Sequence, residues 1–441
     1  MNLHARLLAG LAPWRAAPAW HIAFSGGLDS TVLLHLLASL GQTEALPPLS
    51  AIHIHHGLQA VADGWPAHCQ RVCDELGVPL RVMPVQVAAG ASLERAARAA
   101  RYGAFAQVVG ADEVLLTAQH RDDQAETLLF RLLRGAGVRG LAGIPRSRPL
   151  ARGVVVRPLL DCSRAELLAY AQQHGLRWVE DPSNSDPAYA RNYLRHHVLP
   201  TFTQHWPQAV QSLARSATHL REAQGLLDEL AQADLAAANG ISAFPWLSVP
   251  SLALPPLLEL SPARQRNALR YWLAPLSQLP DSDHWAGWES LRDAGIDASP
   301  IWRLSDGELQ RGDGRLWWLS GEWLQTPPPA PDWQLPDQPL ELPGNGRLSI
   351  RGQVPPGLLQ VRYRQGGEVL NLPGRGHRDL KRLLNEQGLP AFVRGRLPLL
   401  YSGEELLAVA NLPGLCSVAD ANWQLHWQVP LMRPTNDQRL S

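Results

Sequence analysis

The sequence Phe24-Ser25-Gly26-Gly27-Leu28-Asp29-Ser30-Thr31 joins an apolar run to a helical pattern, and it decides how the first part of the chain folds. The run His21-Ile22-Ala23-Phe24 is typical of a short buried strand, and residues 31–37 carry apolar side chains at helical spacing. The two glycines allow the backbone to approach a ligand closely, because no Cβ intervenes. The N–H groups and the positive dipole end of the helix point back at this turn. The segment therefore predicts a cradle for an anion such as phosphate or pyrophosphate.

Three hydroxyl side chains, Ser25, Ser30 and Thr31, add hydrogen-bond donors to this turn. The alternative is an ordinary strand–turn–helix corner with Ser30 as the helix cap, and a Gly-Gly pair alone does not decide between the two. The complete Ser-Gly-Gly-x-Asp-Ser string favours the anion site, and it lacks the Gly-Lys-Ser/Thr ending of kinases and GTPases. It resembles the PP-loop of the ATP pyrophosphatases. That resemblance implies cleavage of ATP to AMP and pyrophosphate, with the AMP activating an oxygen.

The composition is that of a folded, multidomain protein. The 441 residues predict two or three domains, and 45% hydrophobic with 18% charged residues provides an ample core. The net charge is zero, so a nucleic-acid partner would be bound by local basic patches. Four scattered cysteines without a CxxC pair argue against a structural zinc or iron–sulfur site. No long apolar run or signal-peptide pattern is present, which predicts a cytoplasmic protein without a membrane partner.

Strand patterns alternate with helix patterns in the first part of the chain. The strand patterns are His21–Phe24, Leu49–Gly57, Leu80–Val85, Glu113–Ala118 and Val154–Val156, and the helical patterns lie near 60–76, 91–109 and 122–134. This alternation predicts an α/β domain built of βαβ units around a parallel sheet. Ligands bind at the carboxyl ends of the strands in such sheets. Polar clusters follow strands one, two and four, so we expect them to converge on one site.

The cluster after the second strand is His53, His55 and His56 with Gly57. Imidazole is a common metal ligand, but no carboxylate or cysteine accompanies these histidines at a useful spacing. A wall for the adenosine of ATP is the alternative that the position at a strand end favours.

The cluster after the fourth strand contains Asp122 and Asp123, one of which begins a helix, and Glu126. Asp123 and Glu126 are three residues apart and therefore share a helix face. Acidic residues are common in a first helical turn for dipole reasons alone. Their place at a strand end favours a function: binding magnesium or a substrate ammonium, or acting as a base.

Arginines recur around these clusters. Arg98 and Arg101 lie on a helical pattern, where they either reach phosphates or form i,i+4 pairs on a solvated face. No acidic residue occurs between Thr127 and Leu160, while seven arginines do: Arg131, Arg134, Arg139, Arg146, Arg148, Arg152 and Arg157. Such a run indicates contact with a phosphate backbone, although arginine-rich solvated loops are the alternative. Arg191, Asn192 and Arg195 open a further helix.

Three domains follow from the changes in pattern: 1–206, 207–325 and 333–441. The second shows long helical patterns at Ala209–Ala238, Ser261–Leu273 and Asp283–Ala294, with tryptophans expected in its core and a β-hairpin pattern over Trp302–Trp323. A proline-rich stretch, 326–331, predicts a stiff linker. The third alternates polar and apolar residues between glycine turns, which indicates a small β-rich domain. It carries a basic stripe: Arg375, His377, Arg378, Lys381 and Arg382. The alternative for this stripe is a solvated helix face.

Taken in order, the motifs resemble those of the tRNA(Ile)-lysidine synthase family, in its longer, three-part form. The matching motifs in the first domain are Ser25–Ser30, His56-Gly57-Leu58, Arg98/Arg101-Tyr102, Asp123–Thr127, Arg157–Leu160, Glu180-Asp181 with Asn184, and Arg191-Asn192 with Arg195. In the third domain they are Arg364–Glu368, Lys381–Glu386 and Val393–Pro398. Many members have aspartate where this chain has His55, an arginine near Gln59, and histidine where it has Gln119.

The resemblance implies a two-step reaction on the minor isoleucine tRNA with a CAU anticodon. ATP first adenylates the C2 carbonyl oxygen of the cytidine at the first anticodon position. The ε-amine of free L-lysine then attacks C2 and displaces AMP, which gives lysidine and changes the tRNA from methionine to isoleucine specificity. ATP is thus a co-substrate and Mg²⁺ a cofactor. The sequence leaves the oligomeric state open, including a homodimer.

The resemblance also assigns residues to roles. The catalytic set is Asp29, Asp123, Glu126 and Arg191. The ATP-binding set is Ser25, Gly26, Gly27, Leu28, Asp29, Ser30, His56, Arg98 and Arg101. The tRNA-binding set is Arg131, Arg134, Arg195, Arg378, Lys381 and Arg382. No side-chain cluster is expected to hold a metal by itself; Mg²⁺ would bind through the ATP phosphates, with Asp29 or Asp123 as a further ligand.

Three other functions remain as alternatives. A tRNA thiolation enzyme would share the loop but usually needs a reactive cysteine or a CxxC-held cluster beside it. A PP-loop amide synthetase would act on a small molecule and would not need a basic carboxy-terminal domain. A non-catalytic tRNA-binding protein would not need the Ser25–Ser30 string.

Overall fold

The computed structural model describes residues 2–57, 60–87, 93–280, 283–295, 298 and 300–431. Leu58 of the His56-Gly57-Leu58 motif lies outside the described residues. Those up to Leu226 form one compact unit, and those from Leu227 onward form a second. Among the described helices, none combines the length and the apolar character that a membrane span requires.

Within its described residues, the first unit contains six strands. They are β1 (Trp20–Ala23), β2 (Leu49–His55), β3 (Leu80–Pro84), β4 (Val114–Leu116), β5 (Ser147–Leu150) and β6 (Gly153–Val156). The helices are α1 (Leu3–Leu11), α2 (Leu28–Leu40), α3 (Trp65–Leu76), α4 (Leu93–Val108), α5 (Arg121–Leu132), α6 (Val138–Leu141), α7 (Arg164–Gln173), α8 (Ala190–Tyr193), α9 (Leu199–His205) and α10 (Ala209–Ala238), whose residues fall in both units. A π-helical turn, Leu194–Val198, separates α8 from α9.

The six strands form one sheet in the order β3-β2-β1-β4-β6-β5. Five run parallel, which confirms the predicted α/β class, and β5 pairs antiparallel with β6. The sequence analysis missed β5, because Ser147-Arg148-Pro149-Leu150 is polar and contains a proline that only an edge position tolerates. The chain moves from β1 out to β3 and returns to β4 on the other side of β1. The strand order therefore reverses between β1 and β4, where ligands bind in such sheets.

Helices cover both faces of this sheet because its strands are apolar on both sides. Val114 and Leu116 of β4 pack with α1, α2, α3 and α7 in one buried cluster. Leu115, between them, faces the opposite way and packs with Tyr102 and Phe105 of α4. The two clusters fix β1 and β4 side by side, so the segments that follow them open into a common crevice.

The second unit mixes short helices with small antiparallel sheets. Its elements are β7 (Ser251–Ala253), α11 (Leu254–Leu258), α12 (Pro262–Leu273), α13 (Ala286–Asp293), β8 (Ile301–Leu304), β9 (Gly307–Gly312), β10 (Arg315–Leu319), β11 (Leu340–Glu341), β12 (Arg347–Gly352), β13 (Leu359–Tyr363), β14 (Val369–Leu372), β15 (Gly376–Asp379), α14 (Leu380–Glu386), α15 (Ala391–Arg394), β16 (Pro398–Ser402), β17 (Glu405–Val409) and β18 (Trp423–Gln428). The sheets have the orders β7-β10-β9-β8, β11-β12-β18, β13-β16-β17 and β14-β15.

Several predictions for this unit are confirmed. The helices start and end close to the predicted positions, and β8, β9 and β10 form the predicted hairpins. Trp285 and Trp288 are buried, as expected of core residues. Ser261 lies at the N-cap of α12, but its hydroxyl makes no capping hydrogen bond.

The residues before and after the proline-rich stretch share one core. Trp317 and Trp323 belong to the same buried cluster as Leu383 and Trp427. The domain boundaries at 325 and 333 stay predictions, but cutting the chain there would expose these tryptophans.

Candidate active site

The PP-loop makes a tight turn between β1 and α2. Gly26 has φ +83°, and a Cβ there would lie 3.0 Å from Cys69 Sγ and 3.1 Å from Val179 Cγ2. Its carbonyl accepts a hydrogen bond from Val179 N at 2.9 Å, which fixes the loop from a second side. Any other residue at Gly26 would combine backbone strain with a steric contact.

Gly27, by contrast, is not required for steric reasons within the protein. A Cβ there would meet Ser25 Oγ at 3.5 Å, an ordinary contact, and its φ is −75°. The lack of a side chain therefore leaves open space on the loop surface, where a phosphate could approach the backbone.

α2 begins at the loop without a side-chain cap. Gly27, not Ser30, lies at its N-cap, so the alternative of a corner capped by Ser30 is wrong. Ser30 Oγ instead donates to Gly27 O at 3.0 Å and lies 3.0 Å from Ser25 Oγ. The backbone N–H groups of the first turn are thus left for an anion at the positive end of the helix.

His120 lies between three carboxylates at the start of α5. It is 1% exposed, and Nε2 lies 3.6 Å from both Asp29 Oδ2 and Asp123 Oδ2, while Nδ1 lies 3.7 Å from Asp122 Oδ2. The His120 N–H donates to Asp123 Oδ2 at 2.9 Å. This bond fixes the Asp123 carboxylate relative to the PP-loop aspartate.

Burial would lower the pKa of His120, but the charges of Asp123, Asp29 and Asp122 raise it to about 9. A neutral ring could accept the Asp123 N–H at Nδ1, which lies 3.4 Å away. The protonated ring cannot accept that bond. The His120 ring is protonated, because its attraction to three carboxylates is stronger than the single 3.4 Å hydrogen bond that a neutral ring would accept. The attraction is strong because little water reaches the buried ring.

Asp29 is ionised at the crevice between β1 and β4. Burial would raise its pKa, but His120, Arg164 and Arg195 together hold it below the usual value. Its Oδ1 is buried and has no hydrogen-bond partner among the described residues. Such an oxygen suits Mg²⁺, which prefers carboxylate and phosphate oxygens.

Glu126 and Asp123 share one arginine. Arg195 Nε donates to Glu126 Oε1 at 2.6 Å, and its NH2 lies 3.0 Å from Glu126 Oε2 and 3.2 Å from Asp123 Oδ1. Glu126 is 3% exposed, and this burial raises its pKa despite the nearby guanidinium. A buried carboxylate with a raised pKa is a better proton acceptor than an ordinary one.

Arg195 lies on the π-helical turn, a feature that is frequent at functional sites. The preceding loop is attached to this segment by Asn192, whose Nδ2 donates to Ser183 O at 2.7 Å and Asp186 O at 2.9 Å. The structure therefore brings Arg195, predicted to bind tRNA, onto the carboxylates. Arg191, predicted to be catalytic, is exposed and lies 5.9 Å from the Phe130 ring.

The histidines His53 and His56 lie at the carboxyl end of β2. His53 is buried and its Nδ1 lies 2.9 Å from Phe24 O. Burial and Arg101 lower the pKa of His56 to about 4, so the ring is neutral and its Nε2 accepts from Arg101 Nε at 3.4 Å. The proton of His56 is then on Nδ1, which is buried and has no partner in the described structure. No group of three potential ligands that could hold a metal occurs among the described residues.

The basic residues near the site divide into exposed and buried ones. Burial, with the charges of Arg191 and Arg98, lowers the pKa of Arg131, whose NH1 also donates to Gly140 O at 2.7 Å. Arg134 is exposed, with its guanidinium 5.2 Å from the Phe130 ring. Arg157 is 2% exposed and donates to Pro145 O, so its predicted contact with a phosphate backbone is wrong.

The basic stripe of the second unit lies on β15 and α14. Arg378, Lys381 and Arg382 are all exposed. Arg382 pairs with Glu386 at 3.3 Å, while no ion pair of Arg378 or Lys381 occurs in the described part of the chain. The exposure of these basic side chains is compatible with an anionic partner and equally with a helix face that only contacts solvent.

Two features of the site escaped the sequence analysis. The sequence patterns assigned no role to His120, although a polar residue three positions before an acidic one is typical of a helix start at which the acidic side chain accepts from that residue's N–H. The π-helical turn leaves no signal in the sequence. The buried thiol nearest the loop, Cys69, has its pKa raised by burial to about 12, so it would be a poor nucleophile for thiolation.

Models of known protein families match three parts of the chain. The PP-loop domain family matches residues 2–202, the TilS substrate binding domain matches 252–317, and the TilS substrate C-terminal domain matches 359–431. The chain is 66% identical over 428 residues to a tRNA(Ile)-lysidine synthase of Pseudomonas fluorescens, with 97% of each chain covered. It is 64% identical to that of Pseudomonas aeruginosa, covering 100% of this chain and 99% of the relative. For Escherichia coli O157:H7 the identity is 42%, covering 88% and 91%.

Proposed function

This chain belongs to the tRNA(Ile)-lysidine synthase family and is an ATP-dependent ligase of tRNA modification, and from that premise we propose its substrates and steps. It joins free L-lysine to C2 of the wobble cytidine in the isoleucine tRNA with a CAU anticodon, in the cytoplasm. The product, lysidine, changes the tRNA from methionine to isoleucine specificity. The observation that carries this proposal is the carboxylate pair beside the PP-loop, half-buried Asp123 and buried Glu126, which Arg195 holds together, because binding of ATP alone needs no such pair.

In the first step the C2 carbonyl oxygen of the cytidine attacks the α-phosphorus of ATP, and pyrophosphate leaves. Gly26, Gly27 and the N–H groups of the first turn of α2 stabilise the negative charge that develops on the phosphates. Neutral His56 donates from Nδ1, and Arg98 and Arg101 add positive charge at the same side. Asp29, through its unpartnered Oδ1, is the residue that would hold Mg²⁺ together with the triphosphate, and the ion would supply positive charge to the leaving group.

In the second step the ε-amine of lysine attacks C2, and the C2–O bond to AMP breaks. The amine is protonated at neutral pH, with an ordinary pKa of about 10.4, and must lose a proton first. Glu126 accepts that proton, because burial raises the pKa of its carboxyl and makes it a stronger base than an ordinary carboxylate. Asp123, fixed by His120, binds the ammonium beforehand.

Arg195 is a positioning residue in this scheme. It holds both carboxylates, so an arriving ammonium must replace part of its contacts. Arg195→Lys keeps a charge but loses the planar, two-point contact. We expect it to raise the lysine KM while leaving the ATP KM unchanged. Equal changes in both would contradict the assignment.

The remaining parts of the chain recognise the tRNA. Arg131, Arg134 and Arg191 contact phosphates near the site, and Arg378, Lys381 and Arg382 contact the acceptor stem. Residues 1–206 perform the chemistry, and the segments 207–325 and 333–441 provide recognition.

The decisive experiment incubates the full-length protein with ATP, Mg²⁺, labelled lysine and unmodified isoleucine tRNA. We expect acid-precipitable label and release of AMP, both lost when the wobble cytidine is replaced by uridine. Release of AMP without lysine incorporation would reject this substrate and favour thiolation or amide synthesis. Negligible ATP binding, or ATP binding unaffected by Asp29→Ala, would favour a non-catalytic tRNA-binding protein.

A further inference from the structure

A groove outside the carboxylate site lies where α9 meets α10. It is a cavity of about 650 Å³ that is open to solvent, and its lining includes Phe202, His205, Trp206, Gln208, Ser212 and Leu213. The volume lies in the range of small-molecule sites. The lining combines an apolar floor with polar groups at the edge.

Trp206 is the unusual member of this groove. It is 60% exposed, although Phe202 and His205 contact it edge-to-face with ring centroids at 6.4 Å and 4.6 Å. These contacts fix the indole without covering it. Single exposed apolar residues are normal on a surface, but a fixed indole in a concave wall offers a flat face for stacking.

The charge around the groove favours an anionic partner. No acidic residue occurs in 187–221. Arg195 is already paired with Glu126, and Arg221 donates to Ala142 O, so the argument uses Arg215. Arg215 is exposed and follows Ser212 by three positions on α10, so it lies on the groove side of that helix. An aromatic face beside an exposed positive charge is the combination that single-stranded nucleic acids select.

The groove also adjoins the reaction site. Phe202 and Leu213 pack against the buried cluster that contains Ala125 and Leu129 of α5. α5 is the helix that carries Asp123 and Glu126, so the groove and the carboxylates are joined by one small core.

We propose that the groove binds an unpaired nucleobase of the tRNA loop that carries the reacting cytidine, and this inference rests on the proposed function. The cytidine must leave its stack to reach ATP, so neighbouring bases lose their stacking partners. One of them stacks on Trp206, with Arg215 at an adjacent phosphate.

The test is a double-mutant cycle, in which Trp206 of the full-length protein and single bases of the tRNA are changed and the binding affinity is measured. Affinity for the isoleucine tRNA is measured for wild type, Trp206→Ala and Trp206→Phe. Leu226→Ala is the control, because Leu226 is an exposed apolar residue of α10 that does not line the groove. The same proteins are then titrated with tRNAs that each lack one base of the anticodon loop. Trp206→Ala should weaken binding of intact tRNA by roughly ten- to a hundredfold, while Trp206→Phe and Leu226→Ala bind nearly as wild type.

The expected signature is one abasic tRNA that wild type and Trp206→Ala bind equally. If Trp206→Ala has no effect, or weakens all abasic tRNAs to the same extent, base stacking at Trp206 is overturned. If wild type sediments as a dimer and Trp206→Ala as a monomer, the groove is an interface between two copies of the chain. That result would also overturn base stacking at Trp206. Lysine incorporation by the wild-type protein is scored separately, so failure of the proposed reaction is distinguished from failure of the groove.

Discussion

The carboxylate cluster, which comprises Asp29, Asp122, Asp123 and Glu126 around His120 and Arg195, differs from the basic stripe in how its charges are held. In the cluster, each charge is at least partly buried and faces a fixed partner. In the stripe, Arg378, Lys381 and Arg382 are exposed on a helix and a strand. Buried charges keep their geometry and their strength, whereas exposed charges are screened by salt. We therefore expect the cluster to keep a fixed geometry for chemistry, and any affinity of the stripe for an anion to depend on salt.

The sharpest test of this difference removes one charge from the cluster. We expect Glu126→Gln and Asp123→Asn each to lower lysine incorporation by at least about a hundredfold, because a general base or an ammonium ligand is lost. ATP affinity should be unchanged. Glu222→Gln, at an exposed glutamate of α10, serves as the control. Wild-type lysine KM and turnover in the variants would refute the role of the pair.

A second test separates steric from functional glycines in the PP-loop. Gly27→Ala should keep the melting temperature and raise the ATP KM by about tenfold or more, because its Cβ would occupy the open space on the loop surface. Gly26→Ala should instead lower the melting temperature, because φ +83° strains any other residue. Equal melting temperatures for the two variants would contradict this division.

A third test uses the pH dependence of stability. The pKa of His120 is raised from 6.5 to about 9 in the folded protein. Its stabilising contribution is therefore complete below about pH 6.5 and is lost as the pH rises through 9; a shift of this size corresponds to roughly 3 kcal/mol. Calorimetry at pH 6.5 and 9 should show a smaller drop in melting temperature for His120→Gln than for wild type. Identical drops would place the stabilising charge elsewhere.

The smallest expected effect belongs to the stripe. Lys381→Gln and Arg378→Gln should each weaken tRNA binding a few-fold at low salt and reduce the slope of log K against log salt by about 1. ATP turnover without tRNA should not change. A loss that salt leaves unaltered would show that these residues act through structure, not charge.

The sequence analysis predicted much of the fold because the relevant signals are local. The apolar strand, the glycine turn and the helix of the PP-loop lie within a few residues of one another, and the long helices repeat at a regular spacing. The edge strand β5 gave no such signal, because its polar residues and Pro149 suit only the position at the sheet margin.

The sequence predicted which residues belong to the site, but it did not predict which of their side chains contact one another. Arg191 and Arg195 are four positions apart, so the helical pattern alone does not tell which one meets the carboxylates. The π-helical turn and the packing of this segment against α5 decide in favour of Arg195. The state of His120 likewise depends on three carboxylates that are brought together only by folding.

The sequence by itself determined the anion-binding loop, the α/β class of the first part and the residue types available for chemistry, because each follows from short-range geometry and side-chain character. Only the tertiary structure decided which charges are buried together. Asp29 follows β1, whereas His120 and Asp123 follow β4 much later in the chain. These side chains meet because β1 and β4 are neighbours in the sheet. The interaction between two charged side chains depends on their separation and on the exclusion of water, and the sequence alone specifies neither.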